Sequence, residues 1–124
     1  MKRKEPESKI PFLMIENKKY GLLESDVNDV TSTLLKNQKI FKIILFGSRA
    51  KGTFKDGSDV DIALKGANLK LDDIIDLSIE IDKLFLPYKF DFVIYDRIKE
   101  KTLIEHIDRV GIVLSEKAKL VSSK

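Results

Sequence analysis

The apolar pattern of this 124-residue chain predicts a small α+β domain, a mixed β-sheet with helices packed mainly on one face. Three observations predict it. Ile40 to Phe46 (IFKIILF) is a dense run of branched and aromatic residues of strand length. Asp59 to Leu64 (DVDIAL) and Phe90 to Tyr95 (FDFVIY) alternate with a period of two. Around them the spacing lengthens to the helical period in three places, so the order is helix, strand, strand, helix, strand, helix.

The first helix begins near Ser25, a suitable N-cap, with Asp26 in the first turn where the helix dipole favours an anion. Val27, Val30, Leu34 and Leu35 form its apolar stripe, and Asn37-Gln38 end it. β-branched residues and asparagine lower its intrinsic propensity, so packing must hold it. In the second strand Val60, Ile62 and Leu64 face one way and Asp59, Asp61 and Ala63 the other. The second helix runs from Leu71 to Phe85, with Leu71, Ile74, Ile75, Ile79 and Leu84 expected on its inner face and Pro87-Tyr88 stopping it. In the third strand Phe90, Phe92 and Ile94 oppose Asp91, Val93 and Tyr95. The last helix spans about Lys99 to Arg109, with Leu103, Ile104, Ile107 and Val110 inward and Gly111 as a left-handed C′ residue. Ile112 to Leu114 is then an edge strand or a docked tail.

These elements define a domain over residues 20–115, between an arm of residues 1–19 and a tail of residues 116–124. The arm holds six Lys/Arg and three Glu, against 17 basic and 17 acidic residues in the rest of the chain, so the net charge of +3 is local. A basic arm suits RNA, DNA or an acidic partner, but a solvated lead-in explains it as well, and no aromatic interleaving supports a nucleic-acid platform. The arm also contains Phe12-Leu13-Met14-Ile15, a candidate edge strand or packing segment. The chain has no cysteine, which excludes disulfides, thiolate zinc sites and a cysteine nucleophile. Its single histidine, His106, excludes a multi-histidine metal site, and its place on the last helix reads as surface or helix-end rather than catalytic. No apolar run reaches membrane-span length, and residues 1–10 do not read as a secretory signal, so a cytoplasmic location is expected.

The chemistry lies in the fifteen residues from Gly47 to Asp61. Asp59 and Asp61, two apart on a strand, place their carboxylates on one face. Crowded and unpaired, such charges are costly; a hard divalent cation with oxygen ligands removes the cost. Gly47-Ser48 directly follows a buried strand, where glycine permits close backbone approach and a hydroxyl and N–H groups can donate to phosphate. The GxxxxGK[ST] P-loop pattern is absent. Asp91 joins the pair if its strand lies beside that of Asp61, and three carboxylates can hold two metal ions. Asp91 is the candidate nearest the attacking hydroxyl, and so the candidate base. Asp59 and Asp61 alone would pass as exposed strand-end carboxylates, and Arg49 and Lys51 as solvated loop charges. The full spacing argues against coincidence: Gly-Ser, ten residues, then Asp-x-Asp arises by chance in roughly one such chain in several hundred at average residue frequencies.

GSRAKGTFKDGSDVDIAL resembles the signature of the DNA polymerase beta-like nucleotidyltransferase superfamily, and most resembles its minimal nucleotidyltransferases of the antitoxin type. The likeness extends through ILFGSRAKG, PYKFDFVIY and LIEHIDRVGIVL. It implies that Gly47 and Ser48 contact a triphosphate, that Asp59 and Asp61 bind both metals, and that Asp91 is the third ligand and helps activate the acceptor. It also implies that Arg49 and Lys51, in the signature loop, approach phosphates. The implied cofactors are two Mg2+ ions, with Mn2+ equally acceptable to oxygen ligands, and ATP is the implied substrate. The implied partner is a small all-helical HEPN-type protein encoded next door, a toxin neutralised by AMP transfer to a tyrosine. Two alternatives remain open at this level: a non-catalytic module that masks its partner by contact, and transfer to an RNA end or a small molecule. The short chain independently favours a partner, because one small sheet and three helices leave little surface to enclose both a base and an acceptor.

Overall fold

The structure, a computed structural model, describes residues 18–117. Most of the basic arm, its Phe12–Ile15 stretch and all but the first residues of the tail lie outside that range. The described chain opens on a hairpin, β1 (Lys18–Lys19) and β2 (Leu22–Leu23), which leads directly into helix α1 (Glu24–Leu34). Strand β3 (Ile40–Phe46) is followed at once by a short helix α2 (Gly47–Lys51), then strand β4 (Val60–Gly66) and helix α3 (Leu71–Asp82). Strand β5 (Phe90–Ile94), a 3-10 turn (Tyr95–Arg97), helix α4 (Lys101–Val110) and strand β6 (Ile112–Glu116) complete it.

The main sheet has the order β5-β4-β3-β6. β3 pairs antiparallel with β4 and β6, whereas β4 and β5 are parallel, linked by the α3 crossover. The sheet is therefore mixed, as the sequence predicts. Alternation sorts the side chains as expected. Val60, Ile62 and Leu64 join Ile43, Leu45, Phe90, Phe92 and Ile94 under α1 and α3. Ile44, Phe46, Ala63 and Val93 face the other way, against Ile107 and Leu103 of α4. The two longer helices share one face, and α4 covers part of the second.

Several local expectations are corrected. Lys18-Lys19, assigned to the arm, pair instead with Leu22-Leu23, because Tyr20 and Gly21 both take positive φ (59° and 75°), which closes a two-residue hairpin. Ser25 lies inside the first turn of α1; the N-cap is Leu23, whose extended backbone comes straight from β2. The inner face of α3 is Ile74, Leu77 and Ile81, with Leu84 packing on the core just past its end, while Leu71, Ile75 and Ile79 are 64%, 49% and 51% exposed. Both sets repeat at helical spacing, so the apolar pattern alone does not choose the phase. The helix also stops at Asp82, short of Phe85, whose φ of 51° breaks the regular backbone. Gly111 is extended (φ −61°, ψ 142°), not left-handed. It is glycine for a packing reason, since a Cβ there would overlap the Ile107 carbonyl oxygen and press on Ile44. The last strand outruns the expected Ile112–Leu114, because β6 continues through Glu116 against Lys42 of β3. Among the described residues no helix is long and apolar enough to cross a membrane.

Candidate active site

The parallel register places Asp61 of β4 directly beside Asp91 of β5, and the antiparallel register places Asp61 opposite Phe46 at the end of β3. Period-two alternation turns both carboxylates to the α4 side of the sheet, where α4 does not cover them. Asp59 stands one residue before β4, exposed, two positions from Asp61 on the same side. The Asp61 carboxyl is held above the usual carboxylate range, first by burial, then by the Asp91 and Asp59 charges.

Gly47 packs against this group. Its φ is +76°, and a Cβ on it would overlap Asp61 Oδ2, so the carboxylate takes up space that a side chain at 47 would need. The turn off β3 thus needs glycine for conformation and for the seat of Asp61 at once. Ser48 follows, half-buried, in the first turn of α2. Asp59, Asp61, Asp91, Gly47 and Ser48 are therefore brought together at one end of adjoining strands.

Arg49 and Lys51 are not loop residues, because Gly47 to Lys51 is helical. Lys51 is exposed at the end of α2. Arg49 turns inward and is only 4% exposed. Its Nε and Nη2 donate to the Ser58 carbonyl (3.2 and 2.9 Å), and its Nη1 donates to the Tyr20 carbonyl (3.0 Å). The guanidinium also lies over Phe54 and Tyr88, 5.2 and 5.6 Å from the ring centres. Those donors are committed to backbone, so Arg49 clamps the residue before Asp59 to the β1–β2 turn rather than reaching toward the carboxylate face. Tyr88 extends the clamp by donating from its hydroxyl to Asp26 Oδ2 (2.9 Å); burial, then that bond, raises its pKa.

His106 is also corrected. Read as a surface or helix-end residue, it instead meets the signature: its Nε2 accepts the Gly47 N–H (3.1 Å), and its ring meets Phe46 edge-on. The sequence signal was faint, one polar residue adjoining the buried Ile107 on the face of α4 that packs against β3.

The profile of the family described as polymerase beta, nucleotidyltransferase, matches residues 28–120, three-quarters of the chain and all of these site residues. The chain belongs to the polymerase beta nucleotidyltransferase family. As a nucleotidyltransferase domain it is an enzyme, of a superfamily that uses a divalent metal and a nucleoside triphosphate. Solved structures agree. A chain in the crystal structure of a toxin–antitoxin with AMP-PNP is 25% identical, with 75% of each chain covered and a TM-score of 0.63. One in a mutant of the toxin–antitoxin pair MntA–HpeT is 26% identical over 74% of this chain and 73% of that one, with a TM-score of 0.60. The fold is shared with a structure of a tri-AMPylated Shewanella oneidensis HEPN toxin in complex with an MNT antitoxin, at 20% identity, coverage of 81% and 76%, and a TM-score of 0.59. No curated protein matches the sequence.

The residues of the nucleotidyltransferase suit a metal in kind. Hard oxygen donors sit on or beside adjoining strands, and the charge of the most enclosed of them, Asp61, is disfavoured first by burial and then by Asp91 and Asp59, which a bound cation would offset. As the side chains lie, no three acidic or histidine groups among the described residues are closed into a ready ligand set. Asp59 and Asp91 are both exposed, so their carboxylates have room to turn.

Proposed function

We propose that this nucleotidyltransferase transfers AMP from ATP to a tyrosine of a small all-helical HEPN-type partner and so acts as its antitoxin. The observation that carries the reading is the Asp61–Asp91 pairing across β4 and β5, with Asp59 two residues away and Gly47 against Asp61. A surface that served contact alone would gain nothing from three like charges gathered at one end of adjoining strands. The partner and the nucleotide are supported by the similar structures, which are toxin–antitoxin pairs, one of them with an ATP analogue.

In this reading Asp59 and Asp61 would hold two magnesium ions, with Asp91 as the third ligand, and Mn2+ would substitute. Bound divalent cations neutralise triphosphate charge and acidify an oxygen that they touch. The remaining work falls to the chain. Gly47, with its N–H held by His106, lets the backbone come close to the triphosphate, Ser48 brings its hydroxyl, and Lys51, exposed at the end of α2, adds positive charge beside it. The tyrosine oxygen attacks the α-phosphorus, and the bond to the bridging oxygen breaks. Pyrophosphate leaves, and the phenolic proton passes to Asp91 or to water that Asp91 orients. The partner's contribution is to present the acceptor, because the described domain has no second lobe to enclose one.

The test is incubation with α-labelled ATP, magnesium and the helical protein encoded alongside. Covalent label on that protein, lost in Asp59→Asn/Asp61→Asn, is the expected result. Neutralisation that persists in the double variant, with no label on the partner, overturns it.

A further inference from the structure

His106 reaches the signature from the far end of the sequence. Fifty-nine residues separate it from Gly47, and α4 brings it there because Ile107, its neighbour, is buried with Ile44, Phe46 and Ala63. The bond it accepts is of a particular kind. Gly47 is the first residue of α2, so its N–H has no acceptor within that helix. It lies just past the end of β3, and its N–H is directed to α4, where His106 Nε2 accepts it. A Cβ on the same residue would run into the Asp61 carboxylate. One glycine is therefore pinned through its nitrogen by His106 and packed at its Cα against the most enclosed of the three carboxylates.

An imidazole accepts at Nε2 only when that nitrogen carries no proton, so the proton of the neutral ring sits on Nδ1. The surroundings favour this form. Burial lowers the His106 pKa, and Lys51 of α2 and Arg109 of α4, both cationic, lower it further. The Phe46 ring meets the imidazole at 78°, 6.1 Å between centres, which fixes the orientation that aims Nε2 at the amide.

We propose that His106 is a positioning residue of the nucleotidyl-transfer site, holding Gly47 by its amide and thereby setting the seat of Asp61 and the placement of Ser48. The proposal rests on the transfer function above for its consequence, and on the Gly47–His106 bond alone for its geometry.

Two variants separate the acceptor from the ring. His106→Phe keeps the ring volume and loses the acceptor; His106→Gln offers a carbonyl oxygen at similar reach. In hydrogen exchange followed by NMR, the Gly47 amide should exchange about tenfold faster in His106→Phe, the loss expected of one hydrogen bond, and near the wild-type rate in His106→Gln. The amides of Ile43 and Leu45 serve as the control for a general loosening of β3. In transfer assays kcat/KM should fall about tenfold in His106→Phe and be largely restored in His106→Gln. His106→Leu replaces the phenylalanine variant if the latter fails to fold. Equal impairment in His106→Gln and His106→Phe, or wild-type Gly47 exchange in His106→Phe, overturns the proposal. The exchange measurement needs no acceptor protein. A chain that modifies no acceptor yet loses Gly47 protection in His106→Phe therefore sinks the transfer reading and keeps the pin. A chain that transfers normally with its Gly47 amide unprotected does the reverse.

Discussion

Adding one methyl group at Gly47 separates the two demands placed on that residue, because Gly52 meets only one of them. Both glycines have positive φ, +76° and +87°. A Cβ at Gly52 meets nothing within 4 Å, whereas one at Gly47 falls on the Asp61 carboxylate. Gly52→Ala should therefore lose only the left-handed backbone term, ~1–2 kcal/mol. For a domain of this size each kcal/mol lowers the melting temperature by about 4–8 °C. Gly47→Ala carries the same backbone term plus a steric conflict of ~1–3 kcal/mol, as is usual when an atom is forced into filled space. Its larger effect is on chemistry, since pushing Asp61 aside by about 1 Å is enough to cost roughly 100-fold in rate. Melting curves and kcat/KM for transfer, measured on both variants, give the comparison. The expected result is a modest melting shift with transfer within a few-fold of wild type for Gly52→Ala, and near-complete loss of transfer in a still-folded Gly47→Ala. Equal activity of the two alanine variants would refute the argument that Asp61 needs the space over Gly47.

Asp61→Asn should abolish transfer yet melt higher than wild type at pH 7 in metal-free buffer. The folded chain holds the Asp61 proton more tightly than the unfolded chain does, so ionising it loses stability as pH rises through the raised pKa. Melting temperature against pH checks this, and the advantage of the variant should shrink below the usual carboxylate range. Asp73 has the opposite sign. Bonds from Lys39 (2.9 Å), the Lys70 N–H (2.9 Å) and Asn37 (3.2 Å) lower its pKa to about 2, so its contribution is present above the ordinary value of 3.8 and is lost as pH falls toward 2. Asp73→Asn should flatten the melting profile across that window. On α3, Leu77→Ala should cost ~2–5 kcal/mol in chemical denaturation. Ile75→Lys should change stability by no more than about 0.5 kcal/mol, because Ile75 faces solvent.

The strands were legible because each carries its own period. Ile40–Phe46 coincides with β3, and the alternation of Val60, Ile62 and Leu64 against Asp61 and Ala63 is the observed division between the two faces. Local chemistry does not choose between two superimposed helical stripes, so Leu71, Ile75 and Ile79 were expected inside α3 although Leu77 and Ile81 are the buried pair. Positive φ at Tyr20 was hidden for a related reason, since a tyrosine seldom marks a hairpin turn. At the site, the spacing of Asp59 and Asp61 and the pattern around Asp91 announced charges that share a face. What spacing could not give was direction and distance in space. Arg49 turned from a phosphate candidate into a buried clamp, and His106 came from a remote helix to meet Gly47, because both depend on how α2 and α4 dock.

The account rests on Asp59, Asp61 and Asp91 gathering a metal–triphosphate beside Gly47 and Ser48. Titrating Mn2+ with a non-hydrolysable ATP analogue, and following paramagnetic broadening of backbone amides by NMR, reads that directly. The predicted result is broadening centred on residues 47–48, 59–61 and 90–92, weakened in Asp59→Asn/Asp61→Asn. Broadening centred elsewhere, or unchanged in the double variant, would contradict it.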